Sequence, residues 1–150
     1  MNTVKHLKDL NLQPLRKRQF LYGIKSYIPA MVLSSLLGTY LDLLFIGKQL
    51  YFFPNRPFPA VFSINILFTL VGLPTLMVVI IKLMQMRSKW KRVLFIVFIG
   101  LGMAALEKKA EELGFFVHSK QWNHLYTLIG YCLFLLVVFR FHQWINEKRL

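Results

Sequence analysis

From Ala60 to Ile81 the chain runs 22 residues without one charged side chain. At about 1.5 Å of rise per residue, a helix of that length reaches about 33 Å and crosses a hydrocarbon core of about 30 Å. In so small a chain this stretch sets the solvent for everything else. Hydrophobic residues make up 56% of the 150 residues and Phe alone occurs 14 times, more than one small core can bury. The excess points to lipid.

Three further stretches follow the same logic. Ile28–Ile46 contains a single charge, Asp42, and Trp122–Phe139 contains none. Between them, Val93–Leu106 is uncharged over only 14 residues. A helix there reaches about 21 Å, so it has to borrow its flanks, through Trp90 and lysine stems on one side or through Glu107 and Glu111 on the other. The expected fold is all-α, a four-helix transmembrane bundle over 28–145 with spans at about 28–46, 60–81, 90–110 and 122–142. A basic cytoplasmic or interfacial segment, 1–27, precedes it and a short tail, 146–150, follows. Val4–Leu12, with Leu7, Leu10 and Leu12 among Lys5, His6 and Lys8, reads as a short interfacial helix or a frayed terminus. The polar residues ahead of Ile28 make the first span a permanent anchor rather than a cleavable signal. Pro74, inside the second span, removes one ladder hydrogen bond and is expected to bend the helix.

A net charge of +13 would point to nucleic acid in a soluble protein, so the positions of the 19 Lys and Arg residues decide. With four spans and a cytoplasmic amino terminus, 14 fall inside and 5 outside. The positive-inside rule thus accounts for the basic charge with no nucleic acid partner. The expected partners are the bilayer and a second copy or another membrane protein. Cys132, the only cysteine, permits no intrachain disulfide and no cysteine-based zinc site. Trp90, Trp122 and Trp144 stand at span ends as interface anchors.

Depth turns the topology into a candidate site. Asp42 lies about 21 Å above the inner end of the first span, Asn65 enters the second from outside, Glu107 ends the third, and His124 with Tyr126 begins the fourth. Helical spacing places Ser35, Gly38, Thr39 and Asp42 on one face, as it does Asn65, Thr69 and Gly72, then Gly100, Ala104, Glu107 and Glu111, and then His124, Thr127 and Tyr131. Small residues permit close helix approach and polar ones find partners across it. The ligand or polar-layer candidates are therefore Asp42, Asn65, Glu107, His124, Tyr126 and Tyr131. They read either as interhelical glue or as a pocket opening outward. Glu111, Glu112, Lys108 and Lys109 read as a solvated helix end, with Lys108 and Glu112 paired at i, i+4.

Glu107, Glu111, His118 and His124 contain metal-ligand chemistry, but no HExxH, GxSxG or Walker-type sequence occurs. No catalytic residue, metal ligand or cofactor is assigned on that basis.

Glu107, Gly114 and the run Trp122-Asn123-His124-Leu125-Tyr126 carry a resemblance to a family of small multi-pass membrane proteins of Gram-positive spore-forming bacteria. That family pairs a glutamate near the end of one span with a following glycine and a Trp-x-His-x-Tyr start to the last helix. Thr127 stands where the family has serine. The resemblance covers about 36–144, implies a helical bundle in the cytoplasmic membrane and brings no activity with it. The leading functional expectation is a non-enzymatic binding or assembly component. A small proton-coupled transporter and a membrane-embedded enzyme are the alternatives.

Overall fold

The computed structural model describes residues 23–120 and 122–147, except for the side chain of His124; the amino-terminal stretch 4–12 lies outside the described residues. Apart from one pair of two-residue strands, the regular structure described is helical. In chain order it comprises α1 (Ile28–Gly47), β1 (Tyr51–Phe52), α2 (Leu73–Gln85, entered through a π-helical turn Phe68–Gly72), α3 (Lys89–Glu112), β2 (Val117–His118) and α4 (His124–Glu147). Three helical paths, Ile28–Gly47, Phe68–Gln85 and Leu125–Glu147, are long and apolar enough to cross a membrane. The protein is a multi-pass, membrane-embedded helical protein.

Each helix starts and stops for a local reason. Pro29 sits in the first turn of α1, where its missing N–H would have had no intrahelical partner. In the stretch beginning at Ala60, helix starts only at residue 66, because the Pro57–Pro59 segment forms turns and Asn65 caps the helix, its Oδ1 accepting from the Phe68 N–H at 3.2 Å. Pro74 offers no N–H to the turn before it. The ladder adapts by widening, with the Leu73 N–H donating to Phe68 O five residues back.

The ends of α1 and α3 match. At the first, the Leu50 N–H donates to Phe45 O and the Gln49 N–H to Ile46 O, with Gln49 at φ 57°. At the second, the Phe115 N–H donates to Ala110 O and the Gly114 N–H to Glu111 O, with Gly114 at φ 74°. Both are Schellman turns, which satisfy the last carbonyls and reverse the chain through one left-handed residue. Each turn delivers a strand, and the strands pair antiparallel with Tyr51 opposite His118 and Phe52 opposite Val117.

The helices contact in the order α2, α1, α4, α3. At Gly38 a Cβ would overlap the Leu73 side chain, and at Gly100 it would come within 3.0 Å of Cys132 Sγ and Leu128 Cδ1. These glycines let α1 approach α2, and α3 approach α4. The apolar core, including Met77, Ile81 and Met84 of α2, Ile96 of α3 and Val138 and Phe139 of α4, lies toward the end where α2 turns into α3. Polar ties close that end. Tyr27 stacks on the buried His142 at 4.8 Å and donates to Gln85 Oε1 at 2.9 Å, while the Arg92 guanidinium donates to Met84 O and Arg87 O and lies over the Phe139 ring. Arg92 thereby ties the end of α2 and the turn that follows it to α4.

Leu36 of α1, Leu70 of the turn entering α2, and Leu94 and Phe98 of α3 are all more than half exposed. In water such a surface would drive aggregation; hydrocarbon covers it at no cost.

Candidate functional site

At the opposite end from the apolar core, the two strands carry side chains onto carboxylates of different helices. The Tyr51 hydroxyl donates to Asp42 Oδ1 of α1 at 2.5 Å. Its strand partner, His118, places Nε2 2.5 Å from Glu107 Oε1 of α3 and Nδ1 3.2 Å from Glu111 Oε2. The His118 backbone N–H also donates to Glu111 Oε1 at 3.2 Å. Glu111 therefore grips both the ring and the main chain of one residue.

Glu107 is the centre of the arrangement. Besides its close contact with the His118 ring, Glu107 accepts from Thr127 Oγ1 at 3.0 Å and from the Tyr131 hydroxyl at 3.3 Å, both on α4. Thr127 in turn accepts from Trp122 Nε1 at 2.9 Å, so one hydroxyl links an indole to a carboxylate. The side chains of Glu107 and His118 are only 10% and 5% exposed, whereas that of Glu111 is 34% exposed. Asp42 and Glu107 lie close enough for their charges to act on each other. A buried carboxylate is tolerated when several donors surround it, which is the case for Glu107.

An aromatic wall encloses the layer. The His118 ring stacks on Trp122 at 5.2 Å and meets Phe116 edge-on at 4.5 Å, while Tyr51 packs against Phe45, Phe53, Phe116 and Trp122. Burial pushes the Tyr51 phenol well above its usual range, and the neighbouring Asp42 carboxylate adds to the effect.

The polar-layer candidates thus separate. Asp42, Glu107 and Tyr131 come together, joined by Thr127. Asn65 instead faces its own helix as a cap, and Tyr126 is 61% exposed, with its ring edge-on to Trp122 at 6.3 Å. Of the three tryptophans, Trp122 packs into the layer, while Trp90 and Trp144 are exposed. Glu112 pairs with Lys109 at 2.7 Å rather than with Lys108, and Glu111 is held by His118 instead of standing free at the helix end. The sequence candidates do not include Tyr51, and they include His118 only as metal-ligand chemistry. The aromatic runs Tyr51-Phe52-Phe53 and Phe115-Phe116, each just after a span, were the available signal. No group of three or more His, Cys, Asp or Glu side chains able to hold a metal occurs among the described residues.

Comparison with family models, with curated proteins and with solved structures finds no match to this chain. The fold and the site define the class, a multi-pass helical membrane protein with a buried acidic layer at one end. Function has to be argued from that layer.

Proposed function

We propose that this protein is a non-enzymatic binding or assembly component of the cytoplasmic membrane, built as a four-span bundle with both termini in the cytoplasm. The observation that carries the reading is the closure of the acidic layer on its own chain. Glu107 meets the His118 ring of β2 and takes donors from α4, and Asp42 takes one from β1. Carboxylates satisfied in this way lock the outer ends of α1, α3 and α4 to the loops and form a fixed platform beside lipid-facing surfaces. A catalytic base would instead keep an acceptor aimed at a cleft.

Counting α3 as a span is supported by its 24 residues, its close approach to α4 at Gly100 and an exposed face that includes Leu94, Phe98 and Leu101. The cytoplasmic placement of the termini is supported by the 14 to 5 distribution of Lys and Arg. The resemblance to membrane proteins of Gram-positive spore-forming bacteria belongs to the same reading.

A second reading, a small proton-coupled transporter, is favoured by the proximity of Asp42 and Glu107, since intramembrane carboxylates are recurrent proton carriers. One experiment separates the two: reconstitution of Asp42→Asn and Glu107→Gln in vesicles, scoring assembled protein and proton flux. Loss of assembled protein supports the platform. Intact assembly with abolished proton flux supports the transporter.

A further inference from the structure

We propose that His118 is a proton relay between Glu111, at the solvent edge of the acidic layer, and Glu107 inside it, so that the buried carboxylates exchange protons with one face of the membrane. The inference deepens the proposed function and rests on the reading that this layer lies toward the outer side.

The geometry is that of a relay rather than a simple ion pair. An imidazole transfers protons when its two nitrogens contact different acid–base partners. Here Nδ1 meets Glu111, 34% exposed, and Nε2 meets Glu107, 10% exposed. The ring is 5% exposed and is held by Trp122 on its face and Phe116 at its edge, so water does not compete for either nitrogen. The neighbouring groups are acids, phenols or a hydroxyl: Glu107 and Glu111 from α3, Tyr51 from β1 with Asp42 of α1 behind it, and Thr127 and Tyr131 from α4. Among the described residues no Lys or Arg forms an ion pair with Glu107.

The step balances in one proton. Neutral His118 starts with its proton on Nε2, facing Glu107, and an open lone pair on Nδ1, facing Glu111. A proton taken up by Glu111 passes to Nδ1 and the Nε2 proton passes to Glu107 Oε1. This leaves Glu111 ionised, Glu107 neutral and His118 neutral with its proton on Nδ1. Reversal discharges Glu107 and restores the starting tautomer.

Trp122 reports on the relay because its indole stacks on His118 and is linked through Thr127 to Glu107, whose negative charge each transfer removes. In full-length protein carrying Trp90→Phe and Trp144→Phe in sealed vesicles, a stopped-flow drop from about pH 8 to about pH 5 is expected to shift Trp122 emission. The infrared carboxyl band that Glu107→Gln removes should appear with it. Glu111→Gln keeps an acceptor for the His118 backbone and should slow both signals by about tenfold or more without lowering the melting temperature. An unaltered rate in a folded Glu111→Gln protein overturns the relay, as does a folded parent that shows no carboxyl band. Sidedness is scored separately. Impermeant maleimide labelling of Asn55→Cys and Ser88→Cys, in a Cys132→Ser background, is expected to place them on opposite sides. The emission shift should follow the bath that labels position 55. Labelling on the same side defeats the layer placement, whereas opposite labelling with the emission shift driven from the wrong bath defeats the relay alone.

Discussion

Tyr51 and His118 face each other across the two-stranded ladder, and each delivers its side chain to a different helix, Tyr51 to Asp42 of α1 and His118 to Glu107 of α3. One strand pair therefore fixes the separation of two part-buried carboxylates. Each strand follows directly on the Schellman turn of one helix, so single substitutions there have separable effects.

Tyr51→Phe removes the donor to Asp42 and leaves a buried acceptor unmatched. The expected loss is about 1–3 kcal/mol, measured by reversible unfolding in mixed micelles. Adding Asp42→Leu should recover part of it, because removing both partners costs less than orphaning one. A double variant weaker than the sum of its parts would contradict this account of the pair.

The same phenol predicts an alkaline limit. Its folded value is raised above the ordinary 10.0, so the folded state holds its proton more tightly than the unfolded state does. That contribution is fully present below pH 10.0 and is lost as pH rises above it. Stability measured upward from pH 10.0 should fall more steeply in the parent than in Tyr51→Phe.

The two Schellman turns respond in opposite directions to glycine chemistry. Gln49 adopts φ 57° with a side chain, so Gln49→Gly should stabilise by up to about 1 kcal/mol. Gly114, at φ 74°, should lose about 1–2 kcal/mol as alanine, although a Cβ there meets nothing within 4 Å. Thermal unfolding of both variants in one detergent makes the comparison.

Gly100→Ala should separate α3 from α4 at Cys132 and Leu128, at a cost of about 1–3 kcal/mol. Gly102→Ala has open space around it and serves as the control, expected to be neutral or slightly stabilising. Equal effects at both sites would remove the close approach as the explanation.

Asn65→Asp should preserve the cap of the second span, and Asn65→Ala should lose about 0.5–2 kcal/mol. An effect on proton uptake by the layer, rather than on helix stability, would return Asn65 to the site.

The uncharged runs determined by themselves that this is a helical membrane protein, because an apolar stretch about 30 Å long has few other places to go. The small-residue stripes likewise marked Gly38 and Gly100, since close helix approach requires them wherever the partner lies. Shared depth groups Asp42 with Glu107, and helical spacing adds Tyr131. Depth was not enough for Asn65, which has the same depth but spends its side chain on its own helix end. Helical periodicity also could not supply Tyr51 or His118, which lie outside the helices. They reach the layer because two Schellman turns reverse the chain and the resulting strands pair, a contact between segments far apart in sequence. Sequence set the solvent and the depth of each polar group, because burial in lipid acts residue by residue. Only the tertiary structure decided which of them share a proton, because a hydrogen bond depends on two side chains meeting within about 3 Å.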